Sequence, residues 1–286
     1  MIADRHTNCV YLAAMLEGCH PKVFKGLWKT LTTYGLQVRC LTDVRDVWVR
    51  DYAPIQVSAR ALVKFRYTPD YLSGHEHLIT GEDVVEAFRD LGRCHRSEII
   101  LDGGNIVGCR SKAILTDKVY KENPGWGRPQ LRRQLRELLQ VDQLIIIPKE
   151  PYEPIGHADG MVRFLDEQTV LVNDYSAVDP SFHDRLTRVL RQQRLKIEAV
   201  PYFLEGQSRA GIPSAVGNFV NYLQTERVIV APVYGTAHEE VALRKLESHF
   251  PGLPIVPLNC TDLARDGGVL NCVSASYCMS ATNPQD

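Results

Sequence analysis

The sequence predicts an α/β fold in which five αβ units close into a ring around a central site, and three observations lead there. Period-2 or continuous β-branched apolar runs recur near residues 8–14, 36–41, 105–116, 142–147, 160–173, 217–231 and 268–274, which is strand patterning. Helical patterns lie among them near 22–34, 81–92, 128–140, 180–193 and 236–249. They recur at intervals of about 50 residues, the spacing of a repeated unit. No G-x-G-x-x-G or P-loop sequence leads from a strand into a helix, as a doubly wound sheet would favour. The polar motifs fall instead between units, where strand ends converge.

Each element has a local reason. The opening MIADRHTNCVYLAAML holds only a brief apolar patch beside His6, Asn8 and Glu17, so it reads as a first strand and not as a secretory segment. Val84, Phe88 and Leu91 make one face of the second helix, and Leu131, Leu135, Leu138 and Leu139 one face of the third. Start signals precede several helices: Gly81 with Glu82 and Asp83, Asp179 before Pro180, and Thr236 with Glu239 three residues on. Phe250, Pro251 and Gly252 stop the last.

With 286 residues, 44% hydrophobic and 23% charged, the chain has ample apolar material for a core and is read as a single catalytic domain, 1–286. Lys plus Arg is 33 and Asp plus Glu 34, so the net charge of -1 gives no electrostatic reason to expect nucleic acid or a membrane surface. No apolar run approaches the roughly 20 residues needed to cross a bilayer, and a cytoplasmic protein is expected. The eight cysteines show no C-x-x-C spacing, which suits reduced thiols. A homo-oligomer is left open.

Four motifs carry candidate chemistry. DVWVRDYAP packs Asp46, Trp48, Arg50 and Asp51 into a short extended stretch. A solvated loop would give the same letters, but a tryptophan face beside a carboxylate can receive a flat cation. LDGGN, with Asp102, Gly103, Gly104 and Asn105, reads on its own as a hairpin turn between SEIIL and IVGC. In GHADGMVRF, His157 and Asp159 alternate at the start of a strand and so point to one side. No second histidine stands at ligand spacing, so no metal is expected. RDGGVLNCVS leads a diglycine into a short apolar strand carrying Cys272, interrupted by Asn271. A cysteine there is ordinarily a small buried hydrophobe, the reading that suits Cys40, Cys109 and Cys260.

In order, W-x-R-D, D-G-G-N, H-x-D-G and G-G-x-x-x-C resemble the guanidine-modifying enzymes, most closely the agmatine deiminase and microbial peptidylarginine deiminase branch. GNFVNYLQTERVIVAPVYG, with Asn221 and Tyr222, and the segment running on to Cys272 continue the likeness, which covers the chain from about Leu36 onward. The resemblance implies a pentein-like ring, a five-bladed αβ propeller. It implies that Cys272 is the nucleophile, His157 the acid and base, and Asp102 the group orienting the histidine. Asp51 and Asp159 would grip the guanidinium and Trp48 would flank it. The family usually has glutamate where Asp102 stands, and Tyr52 and Ala53 replace its usual Thr and Gly. The implied activity is hydrolysis of a small guanidine, agmatine or a relative, to a ureido product and ammonia through a covalent thiouronium, with no cofactor. Peptidylarginine or free arginine deimination, amidino transfer and non-catalytic guanidine binding are the alternatives. Glu205 or Arg209, in the loop 203–216, would read the distal end of the substrate.

Overall fold

Each long crossover forms where the apolar spacing placed it and carries the chain between two parallel strands. The computed structural model describes residues 1–206, 208–209 and 211–279. In chain order, β1 (Cys9–Ala13) leads through the helix Pro21–Thr33 to β2 (Gln37–Leu41), its parallel neighbour. The pattern repeats in the next unit, where β3 (Ile55–Ser58) runs antiparallel to β4 (Ala61–Arg66) and a 3-10 helix, Glu82–Leu91, returns to β5 (Arg93–Ile100). The third unit is β6 (Val107–Gly108), β7 (Lys112–Thr116), the helix Arg128–Leu139 and β8 (Gln143–Ile147). The fourth is β9 (Val162–Phe164), β10 (Thr169–Asn173), the helix Pro180–Gln192 and β11 (Lys196–Val200). A short hairpin, β12 (Ser208–Arg209) and β13 (Ile212–Pro213), precedes the fifth unit. That unit is β14 (Leu223–Gln224), β15 (Ile229–Val233), the helix Glu239–His249 and β16 (Ile255–Asn259). Finally β17 (Ser274–Tyr277) pairs antiparallel with β1, Ala275 opposite Tyr11, and supplies the missing strand of the first sheet.

The core explains why the units hold to one another. It is divided into clusters that each join neighbouring units. Ile55, Val63 and Phe65 of the second unit pack with Ala113, Leu115, Leu131, Leu135 and Leu139 of the third. Ile145 and Ile147 of the third meet Val162, Phe182 and Leu186 of the fourth. Val10, Leu12 and Leu27 of the first meet Ile229 and Leu246 of the fifth, and Tyr11 of the first meets Leu62 and Phe88 of the second. Full burial of such a leucine or phenylalanine contributes about 1.5–3 kcal/mol, so these seams hold neighbouring units together.

Asp179 caps its helix as expected, its carboxylate accepting the Phe182 N–H at 2.8 Å. Glu239 accepts the N–H of Thr236 at 2.9 Å, half of a capping box, although the helix itself begins at Glu239. Three local expectations are corrected. Cys272 does not lie within a strand: residues 270–273 form a turn, and β17 starts only at Ser274. The stretch around Asp51 is not extended, because Val49–Tyr52 forms one helical turn closed by the Ala53 N–H on Val49 O. His157 and Asp159 share a direction not by strand alternation but through the 3-10 turn Ala158–Gly160, ahead of β9. Among the described residues no helix is long and apolar enough to cross a membrane. All eight cysteines are free.

Candidate functional site

Four of the five junctions between units contribute side chains to one cavity, and the fifth supports it from behind. Trp48 and Asp51 come from the β2–β3 link, His157 and Asp159 from β8–β9, Asn221 from β11–β14 and Cys272 from β16–β17; all of these line a cavity of about 180 Å³. Asp102, from the β5–β6 link, stands fully buried directly behind His157. The expected set is thus brought together from five places distant in sequence.

The glycines explain how closely these links approach. A Cβ on Gly103 would come within 2.0 Å of the Arg50 carbonyl oxygen, and one on Gly104 within 2.5 Å of both Asp51 Oδ1 and His157 Nδ1. The D-G-G sequence is therefore a contact surface, not a hairpin turn; Gly103–Asn105 forms a 3-10 turn. Gly268 does the same for Trp48, whose ring would meet a Cβ there at 2.4 Å. Replacing Gly104 by alanine should force Asp51 and His157 apart, and we expect kcat/KM to fall at least about tenfold with little change in Tm, a split that thermal unfolding and steady-state kinetics on one preparation resolve.

His157 stands between two carboxylates. Its Nε2 is 2.9 Å from Asp102 Oδ2 and its Nδ1 is 3.4 Å from Asp51 Oδ1. Burial alone would lower its pKa, but Asp51 and Asp102 raise it to about 9, so the ring holds its proton at neutral pH. Asp51 accepts the Gly104 N–H at 3.1 Å and the Tyr71 hydroxyl at 3.3 Å. Its own pKa is pushed up to about 6, chiefly by burial.

Asp102 has a partner the sequence did not suggest. Lys118 is only 3% exposed, and its Nζ lies 3.1 Å from the same Asp102 oxygen that faces His157, 3.0 Å from Glu122 Oε1 and 3.4 Å from Asp70 Oδ1. Despite burial, hydrogen bonds and charge from His157 and Lys118 hold Asp102 below its ordinary pKa. The shorter aspartate thus reaches the histidine and is anchored from behind. Lys118→Met would leave buried carboxylates unpaired at a cost of about 3–5 kcal/mol. Thermal unfolding should show a clear fall in Tm, partly restored by Glu122→Gln in the double variant.

Around Cys272 the hydrogen bonds run in a chain. Arg50 donates from Nη2 to Asn271 Oδ1 at 3.2 Å, and Asn271 Nδ2 donates to Asp159 Oδ2 at 2.6 Å. Arg50 N–H also binds the Cys272 carbonyl at 3.0 Å. The arginine of the W-x-R-D motif therefore braces the cysteine loop. Asn221 Oδ1 accepts the Cys272 N–H at 3.3 Å and the thiol at 3.4 Å, and Sγ lies 3.8 Å from Asp159 Oδ2. Burial first, then Asp159 and Asp51, hold the Cys272 thiol well above its ordinary pKa in the empty cavity.

The cavity wall carries Asp46, Asp51, Glu150, Glu153, Asp159 and Asp266, and among the described residues neither Lys nor Arg lines it. Glu205 does not line the cavity and accepts from Arg265 at 2.8 Å and from Ser214 at 2.8 Å. The Arg209 side chain lies outside the described residues. No group of three or more His, Cys, Asp or Glu is arranged to hold a metal ion among the described residues. Tyr71, Lys118 and Glu150 were not legible in the sequence. Asn271 at least interrupted an apolar run.

A ring of five αβ units with a cysteine, a histidine and paired aspartates at the junctions is the architecture of the guanidine-modifying class. The chain belongs to the Porphyromonas-type peptidyl-arginine deiminase family, whose sequence pattern matches residues 12–277. Among curated proteins, a Shewanella baltica (strain OS223) protein named "Putative agmatine deiminase" is 27% identical over 210 residues, 63% of this chain and 57% of the relative. One of the same name from Mycoplasma mycoides is 22% identical, with 58% of its length matched. The alignments thus take in less than two thirds of these relatives. Among solved structures, a Cys-to-Ser agmatine deiminase of C. jejuni with substrate bound shares the fold at TM-score 0.79 and 14% identity, over 97% of this chain and 95% of that one. Dimethylarginine dimethylaminohydrolase of Pseudomonas aeruginosa shares it at TM-score 0.60 and 12% identity, over 95% and 100%.

Proposed function

We propose that the protein is a deiminase that hydrolyses the guanidine group of agmatine or a closely related small guanidine. The observation that carries this reading is the convergence of Asp51, Asp159, His157 and Cys272 on one acidic cavity. A guanidinium is delocalised and a poor electrophile, so it must be held between carboxylates while a thiolate meets its central carbon. The acidic wall favours a substrate with two positive ends over one bearing a carboxylate.

In the empty site His157 is protonated and Cys272 is a thiol. A guanidinium entering between Asp51 and Asp159 offsets the two charges that hold the thiol up, and the thiol proton leaves to solvent. The thiolate then bonds to the guanidine carbon and gives a tetrahedral adduct. His157 gives its proton to one nitrogen, the C–N bond breaks, ammonia departs, and a thiouronium remains on Cys272. Neutral His157 next takes a proton from water as the water oxygen bonds to the carbon. The C–S bond breaks, the hydroxyl proton passes to sulfur, and the ureido product is released. Asp102, anchored by Lys118, keeps the imidazole oriented through both halves.

Colorimetric ureido detection over agmatine, arginine, methylated arginine and a blocked arginine peptide tests the reading. Agmatine should give the largest kcat/KM. Absence of ureido product from every guanidine would overturn it, and amidino transfer to an added amine would reassign the reaction.

The pH dependence follows from the same groups. Asp51 must be ionised to hold the cation, so kcat/KM should fall as pH drops through about 6. His157 must carry its proton to free ammonia, so kcat/KM should fall again as pH rises through about 9. A profile flat from pH 5 to 10 would contradict both assignments.

A further inference from the structure

We propose that Glu150, flanked by Tyr152 and Tyr202, forms a second cation subsite in the same cavity that reads an alkylammonium at the far end of the substrate. The inference rests on the guanidine reading and adds to it the chemistry of the tail.

Glu150 follows β8, and the link from β8 to His157 brings it to the wall of the cavity that holds Cys272, His157 and Asp159. It is 5% exposed. Its two oxygens accept hydroxyl hydrogens from Tyr202 at 2.7 Å and Tyr175 at 3.0 Å. These are neutral donors. Among the described residues no Lys, Arg or His forms an ion pair with Glu150, and buried carboxylates are ordinarily paired with a cation.

The other acids of the wall that are not assigned to the guanidinium are already engaged. Glu153 accepts the N–H groups of Ile155 and Gly156 at 2.8 and 2.5 Å. Asp46 accepts the Trp48 N–H at 2.9 Å, and Asp266 pairs with His20 at 3.0 Å. The donors to Glu153 and Asp46 are neutral too, but those two side chains are only half-buried; apart from Asp51 and Asp159, Glu150 is the wall's buried carboxylate, held in place by neutral donors that leave its charge without a counterpart. Burial pushes its pKa up to about 7, so a cation arriving in the cavity would favour its ionised form.

The surroundings suit an alkylammonium. Leu72, Leu78 and Ile155 offer apolar contact for methylenes, while the faces of Tyr152 and Tyr202 can receive a positive charge beside the carboxylate. A tail ending in a carboxylate would meet Glu150 with like charge.

The test compares agmatine with butylguanidine, which lacks the amine but keeps the guanidine and the alkyl chain. Binding is measured by calorimetry to Cys272→Ala protein with and without Glu150→Gln, and turnover is measured in the Cys272 protein. Glu150→Gln should weaken agmatine binding about 10- to 100-fold, the range for loss of a charged hydrogen-bond partner, while butylguanidine binding changes less than about twofold. Tyr152→Leu, at a half-buried position, should weaken agmatine in the same sense by a smaller factor. Equal effects of Glu150→Gln on the two ligands, or none on agmatine, would overturn the subsite. Failure of the wild-type protein to form any ureido product would instead overturn the deiminase reading, since the binding comparison does not depend on turnover.

Discussion

Cys272→Ala is expected to remove ureido formation, by about 10⁴-fold or more, while the protein keeps its fold. The magnitude follows from the loss of the thiol assigned as the nucleophile in this cavity, with the histidine and the carboxylates left in place. The fold should survive because a half-buried thiol is exchanged for a methyl group, a change on the order of 1 kcal/mol, and because the loop is held by backbone contacts to Arg50 and Asn221 that alanine retains. The two neighbouring cysteines serve as internal controls. Cys260 is fully buried, its thiol bonded to the Leu258 carbonyl at 3.2 Å. Cys278 lies past β17, where its backbone N–H and carbonyl pair with the Gln56 side chain. Neither lines the cavity. Circular dichroism with a ureido assay checks the prediction, and full activity in Cys272→Ala alongside loss in Cys260→Ala or Cys278→Ala would assign the nucleophile elsewhere.

How much of this was legible in the sequence depended on whether a residue's role is fixed by its neighbours in the chain. The crossover helices were, because Asp179–Pro180 and the Leu131, Leu135, Leu139 spacing are local signals that packing only confirms. The strands β3, β4, β11 and β16 were not marked, and of β5 only SEIIL was. β5, β11 and β16 lie at the outer side of their sheets with an exposed or half-buried pattern, so neither strict alternation nor a continuous apolar run marks them, while β3 and β4 are buried but short and interrupted by the buried polar residues Gln56 and Lys64. The four motifs were legible as an ordered set, yet their local shapes were not. A single turn such as Val49–Tyr52 or Ala158–Gly160 is too short for any periodicity to reveal. Lys118 and Glu150 left no trace at all. Lys118 lies 16 residues from the aspartate it supports, and Glu150 is 25 residues from Tyr175 and 52 from Tyr202. Only the folded ring makes them neighbours.

Asp51→Asn and Asp159→Asn should each reduce kcat/KM about 30-fold to several thousandfold, the equivalent of about 2–5 kcal/mol for a carboxylate that meets a buried cation. Both changes keep the size of the side chain, so the loss reports charge and not packing. Their signatures should differ. Asp51 sits 3.4 Å from His157 Nδ1 and is the charge that raises the histidine most, so Asp51→Asn should also move the alkaline limb of the pH profile to lower pH and abolish the acidic limb. Asp159 faces the other side, 3.8 Å from the Cys272 sulfur, and its charge helps hold the thiol protonated. Asp159→Asn should therefore favour the thiolate in the empty site even as it weakens the substrate, so that alkylation of Cys272 by iodoacetamide becomes faster while turnover falls. An effect below about tenfold on kcat/KM in either variant would remove that residue from contact with the guanidinium. Slower alkylation in Asp159→Asn would mean that the aspartate does not act on the thiol through its charge, and the substrate-assisted formation of the nucleophile would have to be given up.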